Sequence, residues 1–468
     1  MVSFSPLDLI ILLAFFTLLL AIGFIPKREK QGDAEGFLLS HRKVGLFVFI
    51  MTNVATWSGG ILGVGEFTYR YGLLSWVTQG LPYYVFAILF AVFFSRKIRN
   101  AELFTIPDKL ETVYGRYVGL ISAIVVFILV SPAPYLLMTA SLISLVLKVN
   151  LFTSLIISVI FSGVYLLRGG YKSYLYADVF QFFIMFIGFF IIVIVSFNNV
   201  GGVDYLVANL PKEHLKLFSN ASPLYVIVWF LIALWTFADP GFHQRCYAAR
   251  TGKVAMWGII ISVFFWALFD FLTTSTGLYA KAVLPNLSNP VLSFPLYAEK
   301  VLGSGSKGIF YAAMFATIFS TLNSFIFLSA TTLGRDFIFK IKKSAKEKSI
   351  PAYTRIGLLI SAVVSVAMAY FIQSVISIWY IVGSICIPGI ILLLVGAYYG
   401  KYRVSSSFAL IEICAGVISS LFWFLTRNYT SSQSLKEIEP MIVGLLVVAA
   451  IHSVGIIKLR RASSSSKK

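Results

Sequence analysis

The sequence predicts an all-α polytopic membrane protein of about thirteen transmembrane helices, with a five-plus-five inverted repeat as its core. Three observations carry this expectation. The 468-residue chain is 59% hydrophobic and only 12% charged, with mean hydropathy +0.88, a composition that a water-soluble globule does not have. Its apolar residues fall into long runs separated by short loops. Most of its 38 Lys and Arg lie in every second loop, the positive-inside asymmetry that sets topology. The net charge of +19 is therefore a membrane signature, and nucleic acid is not expected as a partner.

The runs are 7–25, 44–71, 74–95, 116–147, 151–167, 174–198, 223–244, 254–280, 308–334, 353–373, 376–400, 405–426 and 440–457. The first has no basic residue before it and is followed by Lys27-Arg28-Glu29-Lys30. A signal peptide has the opposite flanks, so this run reads as a retained helix with its N-terminus outside. Loops 26–43, 96–116, 168–172, 245–253, 335–355 and 401–403 and the tail 458–468 carry most of the basic residues and are placed in the cytoplasm, the C-terminus with them. Omitting one run would invert every later loop and spoil the asymmetry.

One transmembrane domain over 1–468 results. It holds an extra N-terminal helix (7–25), a first five-helix group (44–198), a second (223–400), two C-terminal helices (405–457) and a basic tail (458–468) suited to anionic lipid. An odd number of spans per group gives the two groups opposite orientation. The first helix of each is interrupted: Ser58-Gly59-Gly60, with Gly63 and Gly65, weakens 44–71, and Asp239-Pro240-Gly241 breaks 223–244. Paired interrupted helices in inverted halves mark a transporter binding site.

Residues 311–336 form an apolar helix with Ser320, Thr321, Asn323 and Ser324 in its middle. One hydroxyl in such a helix bonds back to its own backbone. A cluster of oxygens at that depth suits a small hard cation. Cys246, Cys386 and Cys414 are scattered, as are His41, His214, His243 and His452. No disulfide framework, zinc site or catalytic pair is indicated, so neither an enzyme nor a cofactor is expected.

Four stretches resemble the sodium:solute symporter family: NVATWSGGILGVGEFTYRYG at 53–72, RGGYKSYLYADVFQ at 168–181, DPGFHQRCYAAR at 239–250 and FATIFSTLNSFIFLSATTLGRDF at 315–337. The resemblance runs from about residue 36 to about 400. It implies a leucine-transporter-type inverted-repeat fold and sodium-driven uptake of a small organic solute. By motif, the sodium ion is expected at the hydroxyls of Ser320 and Thr321 and the carbonyls of Val54, Trp57 and Thr317, freed by the broken helix. Asp178, Asn323 and Ser324 match either a second sodium site or a sodium exit route. Thr56 stands where proline transporters carry an acid, which speaks against proline.

For the solute pocket or gate, the resemblance implies Thr56, Gln79, Tyr83, Trp235, Trp379 and Tyr380. Ile61 and Ile232 stand where sugar transporters place polar contacts, which speaks against hexoses. Glu66 and Arg70 are spaced to pair at i, i+4. Arg245 reads as a positive-inside anchor with Asp239 as a partner across the Pro break. Asp239, Asp270 and Glu412 are intramembrane acids, functional by default, without an assigned role. The expectation is a sodium-coupled symporter in the cell membrane, with Na+, a small organic solute and the bilayer as partners and no obligate protein partner. Proton coupling through Asp178 or Asp239, and solute sensing with a separate signalling partner, are the alternatives.

Overall fold

The structure is a computed structural model that describes residues 2–26, 33–219, 221–342, 346–431, 433–436 and 438–465. Among these residues it is helical throughout, with one isolated bridge, Val44 to Ala249. Twelve helices are long and apolar enough to cross a membrane, and a shorter apolar one, Leu151–Val164, makes a thirteenth. In chain order they are α1 Pro6–Phe24, α2 Leu46–Tyr71, α3 Leu74–Asn100, α4 Arg116–Leu147, α5 Leu151–Val164, α6 Gly169–Asn199, α7 Tyr225–Ala248, α8 Gly252–Val283, α9 Ser306–Phe339, α10 Glu347–Ile372, α11 Ser377–Tyr398, α12 Ser406–Tyr429 and α13 Pro440–Arg461. The thirteen runs read from the sequence correspond to these helices one for one. Lys27 to Lys30, used to orient the first run, lie outside the described residues, as does the end of the basic tail.

Helix α9 is the central post. Of its apolar window 94% is buried, against 28% for α1 and 33% for α8, so α9 sees protein where the others see lipid. Its small residues make this packing close: Ala313 fills the space that a side chain at Gly188 of α6 would need. Helix α1 is fastened to the start of this post. Ser5 and Asp8 form a capping box, and the same Asp8 carboxylate accepts the Gly305 and Gly308 N–H groups at 2.8 Å each. These N–H groups open α9 and lack helical acceptors.

Breaks in the other helices have local causes. Helices α5 and α6 run on from one another through Gly170, whose φ of +56° lies in the left-handed region that glycine tolerates. A Cβ there would strike the Phe37 carbonyl of the short helix Ala34–Leu39. Helix α2 is α-helical to Trp57, tightens to a 3-10 turn at Ser58–Gly60 and resumes at Ile61. Helix α7 is in three pieces, Pro223–Ile232, Trp235–Ala238 and Pro240–Ala248. The last is capped by Asp239, whose Oδ1 accepts the Phe242 N–H at 3.0 Å. The interruption of α7 is thus wider than the Asp-Pro-Gly motif alone suggested.

At its other end α9 widens into a π-helix, Thr332–Phe339, that carries charge into the protein. Arg335 Nη1 lies 2.7 Å from Asp108 and 2.5 Å from Asp336. Lys340 Nζ reaches Asp108 at 2.7 Å and Glu111 at 2.5 Å. Both acids sit on the short helix Ile106–Tyr114. Part of the basic 335–355 segment is therefore internal structure, because a buried guanidinium demands carboxylate partners. In the C-terminal pair, buried Glu412 of α12 bonds His452 Nδ1 of α13 at 2.9 Å, which gives that acid a structural partner.

Burial alone would raise the Asp108 carboxyl, but Arg335 and Lys340 outweigh it and hold the group down at about 2. A depressed carboxylate contributes stability that is complete above its ordinary value of 3.8 and lost as pH falls through about 2. Asp108→Asn should cost about 3 kcal/mol, since it leaves buried cations short of a partner. It should also flatten the acid limb of a melting-temperature profile in detergent between pH 4 and pH 2. A variant that melts like the parent across that range would show the cluster to be energetically idle.

Candidate functional site

The broken turn of α2 lies directly against α9. Gly59 is the point of contact: a Cβ there would overlap the side chain of Thr321, so only glycine lets the two backbones come this close. Thr321 Oγ1 donates to the Thr56 carbonyl at 2.5 Å. Next to Thr321, Ser320 Oγ points at the Thr317 carbonyl at 3.4 Å, a long contact, and Thr317 Oγ1 bonds back to the Ala313 carbonyl at 2.7 Å. Ser320 and Thr321 are buried. Of the oxygens expected from the sequence, that of Thr321 reaches α2, with Ser320 and Thr317 on the same stretch of α9.

Val54 departs from the expectation. Its carbonyl accepts both the Ser58 N–H and, at 3.0 Å, the Ser58 hydroxyl, so it is not freed by the break. A 3-10 turn keeps more of the backbone paired than an unwound segment does. The carbonyl turned toward α9 is that of Thr56, which was expected only for its side chain.

Beside the junction lies a polar network spanning α2, α6 and α7. The Thr56 hydroxyl donates to Asp178 Oδ2 at 3.0 Å and lies 3.0 Å from the Tyr174 hydroxyl. Arg245 donates to both hydroxyls, to the Thr52 carbonyl at 3.3 Å and to the Gly241 carbonyl at 3.1 Å. Arg245 is only 4% exposed. It is therefore no surface anchor, and Asp239 is not its ion-pair partner: Asp239 Oδ2 instead accepts the Trp235 indole N–H at 3.0 Å. The last piece of α7 folds under α2 and carries Arg245 inward. Asp178 Oδ1 is buried with no hydrogen-bond partner among the described residues. Asn323 and Ser324 lie on the next turn of α9, fully buried.

A cavity of about 630 Å³ opens beside the α2 break, lined mainly by α2, α3, α7, α8 and α11. Thr56, Gln79, Tyr83, Trp235, Trp379 and Tyr380 are among the residues that line it. Its walls are aromatic. Trp57 and Tyr83 meet at 5.0 Å between ring centroids, and Tyr135 and Trp379 at 5.9 Å. The Trp379 indole lies across the face of α2 where Gly60 and Gly63 lack side chains. Ile61 and Ile232 add apolar wall. Tyr135, Asp270 and Thr273 also line the cavity and were missed as pocket residues. The signals were the Pro132 and Pro134 pair that starts the second half of α4, and an acid in the middle of α8. Glu66 and Arg70 pair at 3.0 Å with Arg70 exposed.

The junction is built from neutral oxygens and can hold a hard cation. The cavity is large enough for a small organic molecule and has the apolar lining with few polar groups that such sites share. No group of three or more His, Cys, Asp or Glu suited to a transition metal occurs among the described residues.

Comparison with known proteins places this arrangement. Residues 37–416 match the profile of the Sodium:solute symporter family. The chain is 24% identical over 411 residues to the High-affinity choline transporter 1 of Caenorhabditis elegans, covering 80% of this chain and 70% of the relative. It is 25% identical over 383 residues to the Sodium/proline symporter 2 of Staphylococcus saprophyticus, covering 77% and 75%. Among solved structures, a substrate-bound, outward-open Na+-coupled sialic acid symporter superposes with a TM-score of 0.82 at 14% identity, over 97% of this chain and 98% of that one. That likeness establishes a shared fold.

The Gly59 contact yields a direct expectation. Gly59→Ala forces α2 from α9 and should destabilise the protein by about 1–3 kcal/mol, the usual cost of overpacking. Gly45→Ala, where a Cβ meets nothing within 4 Å, should stay within about 0.5 kcal/mol of the parent. Equal melting temperatures for the two variants would mean that the α2–α9 approach is not tight.

Proposed function

The chain belongs to the sodium:solute symporter family; it is a multi-pass, sodium-coupled solute symporter working by alternating access, not an enzyme, and we propose the following division of labour among its residues. Sodium binds at the α2–α9 junction, on the hydroxyls of Ser320 and Thr321 with carbonyls of the α2 break and of Thr317. The observation that carries this is the contact of Thr321 with Gly59 and the Thr56 carbonyl, where the broken helix touches the most buried one. The solute binds in the aromatic cavity. Thr56, Trp57, Gly60, Ile61 and Gly63 belong to the same break and line that cavity. An ion that fixes the break therefore also finishes the solute's wall, and by linkage each ligand strengthens the other.

Asp178 serves as an exit or relay group for sodium. The Arg245 guanidinium stands one hydroxyl away from it, so a second sodium there would meet an existing cation. This favours one sodium per cycle. An inward sodium charge contributes about 2.3 kcal/mol per 100 mV.

The two five-helix groups, α2–α6 and α7–α11, form the inverted repeat. The N-terminus lies outside and the C-terminus in the cytoplasm. Two contacts support that topology. The Asp8 contact puts the starts of α1 and α9 on one face, and the Asp108–Arg335 contact joins two basic loops assigned to the other. The named relatives transport choline and proline, solutes of different charge, so relatedness alone does not choose the solute.

The test is the melting temperature of purified protein titrated with NaCl at constant ionic strength, with potassium as the replacement. Sodium should stabilise with a Hill coefficient near 1. Ser320→Ala and Thr321→Ala should each raise the half-saturating concentration tenfold or more, about 1.4 kcal/mol of binding energy. Stabilisation that follows pH instead of sodium, with both variants like the parent, would move the coupling role to Asp178 and the proton.

A further inference from the structure

The charged groups on the cavity wall among the described residues are Asp239, Asp270, Glu439 and Arg245, and most of them are already engaged. Arg245 donates to Thr52, Thr56, Tyr174 and Gly241. Asp239 caps the last piece of α7 with one oxygen and holds the Trp235 indole with the other. Glu439 lies at the start of α13, against Tyr380. Asp270 differs. It projects from the middle of α8, is only partly covered by protein, and its carboxylate accepts one hydrogen bond, from the Tyr84 hydroxyl. Gly80 leaves room beside it: a Cβ there would come within 2.9 Å of both Asp270 Oδ2 and the Trp76 ring.

The remaining walls present ring faces and edges, Trp57, Tyr83, Tyr135 and Trp379 among them. The negative faces of such rings attract a cation and give nothing to an anion. Among the described residues no lysine lines the cavity and its one guanidinium is taken, so a carboxylate or phosphate on the solute would find no counter-charge there. A carboxylate with an accessible oxygen, surrounded by aromatic side chains in a low-dielectric region, is in turn stabilised by a cation placed next to it.

We propose that the transported solute is an organic cation, an amine or quaternary ammonium compound without a carboxylate, and that Asp270 is its counter-charge. This rests on the assignment of the cavity as the solute site.

The experiment measures melting temperature of the purified full-length protein in NaCl with choline, tetramethylammonium and ethanolamine, with 3,3-dimethyl-1-butanol as an uncharged copy of choline, and with L-proline and D-glucose. At least one cation should stabilise the protein, at concentrations tenfold or more below those at which the uncharged copy, proline or glucose acts. Asp270→Asn should weaken that cation tenfold or more, and Asp270→Glu should restore part of it; the shift produced by NaCl alone reports that each variant is folded. If the asparagine variant does not fold, the parent's ranking of the solutes decides, with Tyr84→Phe as the milder variant, expected to weaken the cation severalfold. The proposal is overturned if no cation stabilises the parent, if proline, glucose or the uncharged copy does so as well as the cations, or if Asp270→Asn binds the cation like the parent. Failure of NaCl itself to stabilise the parent would instead count against the sodium-site assignment.

Discussion

Everything in this molecule turns on one close approach, the broken turn of α2 against α9. It is possible only because Gly59 has no side chain and because Thr321 can satisfy the Thr56 carbonyl that the turn exposes. In the bilayer interior an unpaired carbonyl costs several kcal/mol, so a break at this depth needs a partner on a neighbouring helix. Helix α9 can be that partner because it is itself enclosed: its hydroxyls meet protein on all sides, and lipid on none. The two oxygen-rich surfaces thus exist for each other, and an ion that replaces some of these contacts does so without opening a gap to hydrocarbon.

The second constraint is the placement of charge. A guanidinium inside a membrane protein is tolerated only with acceptors around it. Arg335 is met by Asp108 and Asp336. Arg245 is met by carbonyls and hydroxyls, with Asp178 reached through Thr56. The first arrangement is a paired lock, with Lys340 and Glu111 completing the charge balance at the C-terminal end of α9. The second is looser. Its cation and anion are separated by two hydroxyls that can rotate, and one Asp178 oxygen has no hydrogen-bond partner among the described residues. A group that must release an ion is better served by the second kind of surrounding, since nothing there has to be broken before the carboxylate can receive a cation.

How much of this was legible in the sequence follows from what each signal reports. Hydropathy and loop charge report on the bilayer, and each of the twelve helices long enough to cross it coincides with an apolar run, with the remaining run falling on the shorter helix Leu151–Val164. Glycine and hydroxyl clustering reports on helix contacts and found Ser58–Gly60, Ser320 and Thr321. Neither signal states which way a side chain points once its helix is fully apolar. Asp270 was visible as an acid in the middle of a span, but the face of α8 that it occupies is set by packing on α3. Arg245 was misread for a related reason. The positive-inside rule treats every loop-end arginine alike, while the fold of the last piece of α7 carries this one beneath α2. Val54 differs on a finer point, since a 3-10 turn and an unwound segment look the same in sequence, and here the Val54 carbonyl keeps its bonds to Ser58.

The position of the cavity explains why coupling needs no long-range signal. The α2 break has two faces. One face meets Thr321, and the other, through Trp57, Gly60 and Gly63, shapes the wall on which Trp379 lies. If the break shifts, the Trp379 ring loses the bed that Gly60 and Gly63 give it, since a Cβ at either position would come within 3 Å of that ring. Packed interfaces of this sort switch between arrangements and do not deform smoothly. With the proposed ion site on the first face and the proposed solute site on the second, both ligands would bias the same turn of helix, and the coupling free energy would be the part of each binding energy that depends on where that turn sits.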